Sequence, residues 1–192
     1  MAGIKQEKIT YLKVTCGRMI SKKDGVILKD FGGYKGHFLG IREKIGEFEG
    51  QKTVAIEVKM KDTESEEIVI IQFTKKGLFA KGFFSCIRKV DLKKPFTMLV
   101  WGSDKNEKIS FCGLQQDGYQ YVENRKTIEP DKSFPSYKEV VVSGEKTADW
   151  TEPLAAMDAI VKNINENMAT VAPKAAEAEA VLESTPEADL PF

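Results

Sequence analysis

Apolar and polar residues alternate over much of the first 120 positions, and a period of two is the signature of half-buried strands. Leu12, Val14 and Cys16 fall on one face and Tyr11, Lys13 and Thr15 on the other. This predicts a strand over residues 8–20, with Gly17 as a bulge that turns Arg18 to the exposed face. Asp24-Gly25 and Gly32-Gly33 interrupt the next stretch, so residues 21–36 read as a loop or a hairpin with frayed arms. Alternation resumes over 37–48, where Leu39, Ile41 and Ile45 oppose Phe38, Arg42 and Lys44. It continues over 53–61, where Val54, Ile56, Val58 and Met60 oppose Glu57, Lys59 and Lys61. Residues 68–73 are apolar on both faces and predict a central strand.

The period then changes. Phe79, Phe83, Cys86, Ile87 and Val90 share one face of a helix, which predicts a helix within 76–90. After Pro95, strands are expected over 96–101 and 109–114, followed by a turn at Asp117-Gly118 and a strand over 119–122. About four strands, one helix and two or three further strands match a mainly β fold. The arrangement is that of the OB-fold, a five-stranded Greek-key barrel with one helix between its third and fourth strands, elaborated here by a front hairpin. It would occupy residues 1–125.

Residues 126–168 read as an extension, with loops around Pro130 and Pro135 and a short strand over 139–142. A helix then starts at the N-cap Thr151, with Pro153 in its first turn. Its seam of Leu154, Met157, Val161, Ile164 and Met168 either packs on the barrel or joins two copies as a homodimer. Beyond Ala169 the composition turns to Ala, Glu and Pro with few large apolar residues, which predicts a flexible acidic tail over 169–192.

Lys+Arg and Asp+Glu both total 29, yet they are not evenly spread. Residues 1–126 carry 24 basic against 16 acidic side chains, residues 127–168 carry 4 against 8, and residues 169–192 carry 1 against 5. A basic body with an acidic rear is the pattern of a chain whose front meets a polyanion. No apolar run approaches the ~18 residues of a membrane span, and the start lacks the apolar core of a signal peptide, so a soluble, cytoplasmic protein is expected.

Signatures of catalysis are scarce. His37 is the sole histidine and has no Ser or Cys partner by pattern. There is no GxxxxGK[ST] loop, and Gly32, Gly33 and Gly36 are explained by turns. Asp24, Asp30, Glu43 and Glu57 are spaced without convergence and have lysine neighbours, which argues against a Mg²⁺ site. Cys16, Cys86 and Cys112 are few, distant and odd in number, so neither a disulfide framework nor a zinc site is indicated. No enzyme activity, metal or cofactor is expected.

The tail ends in Asp189-Leu190-Pro191-Phe192, preceded by Glu177, Glu179, Glu183 and Glu187. Proline keeps the backbone extended and Phe192 offers a compact apolar plug beside negative charge, which together make a portable ligand for a pocket on another protein. This acidic, Phe-terminated end resembles the tip of bacterial single-stranded-DNA-binding proteins and of their phage counterparts, with Leu190 where the bacterial tip usually carries Ile. The resemblance implies an OB-fold that binds single-stranded DNA in replication, recombination or repair. It also implies a tip at Asp189, Leu190, Pro191 and Phe192 that recruits partners such as polymerase, primase, helicase or nuclease.

Binding a single strand asks for a basic groove along the phosphates and exposed rings on which bases stack. On an OB barrel these lie on the face of strands two and three and on the loops between strands one and two and between four and five. The candidates are Tyr11, Lys13 and Arg18 on the first strand, then Lys22, Lys23, Lys29, Phe31, Tyr34 and Lys35 in the following loop. Phe38, Arg42, Lys44, Lys59 and Lys61 follow, with Trp101 near the last hairpin. The alternative is an interaction adaptor built on an OB-like barrel that never touches nucleic acid. An RNA-binding OB module differs only in contacts to the 2′-hydroxyl.

Overall fold

The computed structural model describes residues 9–23, 26–48, 51–65, 67–117 and 127–183, of which 22–23, 47–48, 51 and 170–183 are described by their backbone alone. The expected turn and strand over 118–122, and the tip at 189–192, lie outside the described residues.

The first alternating stretch folds as a hairpin of β1 (Ile9–Thr15) and β2 (Arg18–Lys23). Cys16 and Gly17 form its turn, with φ of 48° and 72°. A two-residue turn moves the buried face from even to odd positions, Leu12 and Val14 before it and Met19 after it, and a one-residue bulge shifts it in the same way, which is why the pattern alone reads as one bulged strand. The expected loop over 21–36 is largely strand as well. β3 (Val26–Phe31) pairs with β2, and β4 (Gly33–Phe48) begins two residues later. β4 and β5 (Gln51–Asp62) form a long antiparallel ribbon, and β6 (Ile68–Thr74) pairs with β5 from Ala55 to Lys61. The end of the ribbon therefore extends past its neighbour.

Helix α1 (Leu78–Ile87) follows, burying Phe79, Phe83, Cys86 and Ile87 as the helical spacing predicts, and Phe84 besides. A Cβ at Gly82 would lie 2.6 Å from the Cys112 carbonyl, so glycine lets the helix backbone settle directly on the sheet. β7 (Phe96–Ser103) and β8 (Asn106–Gln115) make a second hairpin, and β7 pairs antiparallel with Gly33–Gly36 of β4.

These strands make one sheet in the order β3-β2-β1-β6-β5-β4-β7-β8, in which only the β1–β6 pair is parallel. The sheet is strongly curled into a half-barrel. Its curl brings the β1–β2 turn onto the β7–β8 hairpin, where the Gly17 N–H donates to Ser110 Oγ at 2.9 Å. Ile56, Val58, Met60, Ile71, Phe73, Phe83, Phe96, Met98 and Leu114 fill the interior. β6 is buried on both faces, as its unbroken apolar run requires.

A separate hairpin joins β9 (Lys138–Val142) to β10 (Glu145–Asp149), and α2 (Thr151–Glu183) follows. Only β9 is expected from the pattern, because the polar run of β10 carries no alternation. Met157, Val161 and Ile164 of α2 join the barrel's core together with Ile128 and Phe134, so residues 127–168 complete that core. Lys75, buried between β6 and α1, ion-pairs Glu43 Oε1 at 2.6 Å and also Asp158, which pins α2 to the ribbon. The α2 backbone continues past Ala169 to Glu183. Ala and Glu favour helix whether or not a core lies beneath them. Among the described residues, no helix is long and apolar enough to cross a membrane.

Candidate nucleic-acid interface

Register decides which side chains share the sheet's outer face. Lys13 pairs with Gln72, Gln72 with Glu57 and Glu57 with Arg42, one row running across β1, β6, β5 and β4. The neighbouring row holds Tyr11, Ile70, Lys59 and Gly40, and the next holds Ile9, Ile68, Lys61 and His37. Period two puts all of these opposite the core residues Leu12, Ile71 and Val58. Tyr11 is 53 % exposed at the edge of an apolar strip formed with Ile9, Ile68 and Ile70. Five of the expected contact residues, Tyr11, Lys13, Arg42, Lys59 and Lys61, thus meet on one surface drawn from three strands, with Lys44 in the row beyond.

The cations there differ in availability. Lys13 and Lys59 are exposed, and among the described residues neither has a carboxylate within 4 Å. Arg42 and Lys44 both reach across the outer face to Glu57, at 2.6 Å and 3.2 Å, and that carboxylate is 2 % exposed. Burial pushes the Glu57 pKa up, but its pairing with Arg42 and Lys44 outweighs that and holds the group below its ordinary value. Glu57 Oε1 accepts no bond of good geometry, so the Lys44 contact is an ion pair rather than a directed hydrogen bond. Arg18 is paired with Asp30 at 2.5 Å, Lys29 with Glu67 at 3.0 Å, and Lys35 approaches Asp117 at 3.9 Å. Lys22 and Lys23 lie on β2, where only the backbone is described.

The aromatic candidates divide sharply. Tyr34 and Phe38 are buried, at 8 % and 7 % exposure, and offer no face to a base. A register shift between Phe38 and Gly40 inserts Leu39 as an extra residue, which turns Phe38 inward and leaves Leu39 exposed, the reverse of the expected facing. The Tyr34 hydroxyl donates to Asp62 Oδ2 at 2.9 Å, and burial together with that bond raises its pKa. Asp62 is lowered to about 2, chiefly by the Ser65 backbone N–H. Phe31 is half-buried, edge-on to Tyr34 at 6.1 Å between ring centroids. Trp101 lies on β7 and stacks on Phe111 at 6.1 Å and 21°, away from the Tyr11 strip in strand order.

Two features escape a reading of the pattern. Glu57 pairs with two of the expected phosphate ligands from the middle of the surface, its one negative charge offsetting one of their two positive charges, and Phe111 supplies the partner of Trp101. Both depend on pairing between residues distant in sequence, although the Glu57/Lys59/Lys61 alternation does place the carboxylate on the cationic face. Among the described residues no group of three His, Cys, Asp or Glu side chains gathers as a metal site. Comparison with protein families, with curated proteins and with solved structures finds no match.

Proposed function

We propose that this chain is an elaborated OB barrel that binds single-stranded DNA without sequence preference on the outer face of the sheet, through side chains of β1, β5 and β4. The order supports this: a β4–β5–β6 meander, then α1, then the β7–β8 hairpin with β7 antiparallel to β4. The departure from a five-stranded barrel is β1, which lies parallel against β6 and brings the N-terminal hairpin into the closure.

The observation that carries the proposal is the juxtaposition of exposed Tyr11 with Lys13 and Lys59, cations without described carboxylate partners, on adjacent rows of one surface. A ring stacks on any base for ~1–3 kcal/mol, and the ammonium groups follow the phosphates. No catalytic group or cofactor is needed. The segment Asp189–Phe192 would then recruit replication or repair enzymes to the coated strand.

The adaptor reading draws on a specific observation as well. Arg18, Lys29, Arg42 and Lys44 are already paired with three carboxylates, Asp30, Glu67 and Glu57, which weakens the field available to a polyanion. Binding of oligo-dT in preference to heparin at low salt separates the two, because only DNA offers bases to stack. Equal binding of both, or of neither, would favour the adaptor.

A further inference from the structure

Between α1, α2 and residues 133–135 lies an open groove of about 860 Å³. Ile87, Leu92, Phe134 and Ile160 give it an apolar lining, and the charged residues that line it, Arg88 and Lys93, are both cations. Arg88 already meets Asp131 at 3.3 Å, whereas Lys93 is exposed and has no carboxylate within 4 Å among the described residues. Lined apolar surface of this extent is a cost to a soluble chain unless something covers it.

We propose that the groove is the resting place of the chain's own residues 184–192. That segment sets Leu190 and Phe192 on either side of Pro191, with Glu187 and Asp189 just before them. Its apolar pair suits the lining and its carboxylates suit Lys93 and Arg88. The reach is sufficient. Met168 lines the groove, the helix from there to Glu183 rises about 22 Å, and nine extended residues span about 30 Å. Among the described residues the outer strand face offers the segment cations, but its apolar residues Ile68 and Ile70 are buried. While the groove is occupied the tip is withheld from other proteins, so an enzyme recruited by it must compete with the barrel for Phe192. The inference rests on the tail being a docking segment and not on DNA binding, so its test contains no nucleic acid.

The probe is a fluorescein-labelled peptide of residues 184–192, followed by anisotropy. It is titrated with the full chain and with the full chain carrying Leu190→Ser and Phe192→Ser, whose groove would stand empty. The altered chain is expected to bind the peptide at least ten-fold more tightly than the unaltered one. Adding Ile160→Glu should abolish that binding while the thermal melt shows the chain still folded, and adding Lys93→Glu, at an exposed position, should weaken it about ten-fold. No binding, or equal binding by the two chains, would overturn the proposal. So would binding that survives both groove substitutions, which would place the tip elsewhere, such as on the Lys13 and Lys59 face. A doubled sedimenting mass of the altered chain, lost with Ile160→Glu, would assign the groove to a second copy and also overturn it.

Discussion

The Arg42 Nε donates to Glu57 Oε2 at 2.7 Å, so a cation and a nearly inaccessible carboxylate cross-link β4 and β5 on the sheet's outer face. Glu57→Gln keeps the shape and an acceptor but removes the charge, freeing Arg42 and Lys44 for phosphate. Single-stranded DNA should then bind more tightly at low salt, with a steeper dependence of affinity on salt, measured by oligonucleotide titration over a salt series. Unchanged affinity and slope would mean that the two cations do not face the strand.

The same carboxylate sets a pH dependence. Glu57 is held below 4.5 and Asp62 falls from 3.8 to about 2, so both are more acidic in the folded chain. Their contributions are fully present above the ordinary values and disappear as pH falls through the folded ones. Thermal stability should therefore drop on acidification between pH 4.5 and about 2, and Asp62→Asn should flatten the lower part of that fall. A melting temperature that stays level over this interval would contradict the assignment.

Tyr11 and Tyr34 should respond in opposite ways. Tyr11 is exposed, and Tyr11→Ala should weaken single-strand binding by roughly ten-fold, about 1.4 kcal/mol, with Tyr11→Phe near the original and the melt unchanged. Tyr34→Phe removes a part-buried bond to Asp62 and should lower the melting temperature without changing DNA affinity. Lys13→Ala and Lys59→Ala should each reduce the salt slope by about 0.7, the share of one phosphate contact on a single strand.

Closure of the half-barrel depends on glycine at one position. Gly17 has φ of 72°, and a Cβ there would lie 2.2 Å from the Gly102 nitrogen. Gly17→Ala should cost at least about 1–2 kcal/mol from the left-handed backbone alone, and the collision with β7 adds to it. Differential scanning calorimetry should register a fall of several degrees.

What the pattern reveals is what depends on local periodicity. The unbroken apolar run of β6 identifies a central strand, and the spacing of Phe79, Phe83 and Cys86 identifies α1, because each is decided within a few residues. Facing is harder. A single extra residue at Leu39 exchanges the two sides of β4, so Phe38 joins the core while Arg42 and Lys44 keep the outer face. The Cys16-Gly17 turn cannot be told from a bulge by alternation, because both shift the buried face by one position. Cation availability is harder still: Arg18 finds Asp30 and Lys29 finds Glu67 only through strand pairing and the sheet's end, and no local composition distinguishes these from Lys13 or Lys59.

The most direct measurement is the titration of a fluorescent oligo-dT with the full chain at low salt, repeated with Tyr11→Ala and with heparin as competitor. Saturable binding that heparin displaces poorly and that Tyr11→Ala weakens about ten-fold is the predicted result. No binding at low salt, or binding that heparin abolishes and Tyr11→Ala leaves untouched, would contradict it.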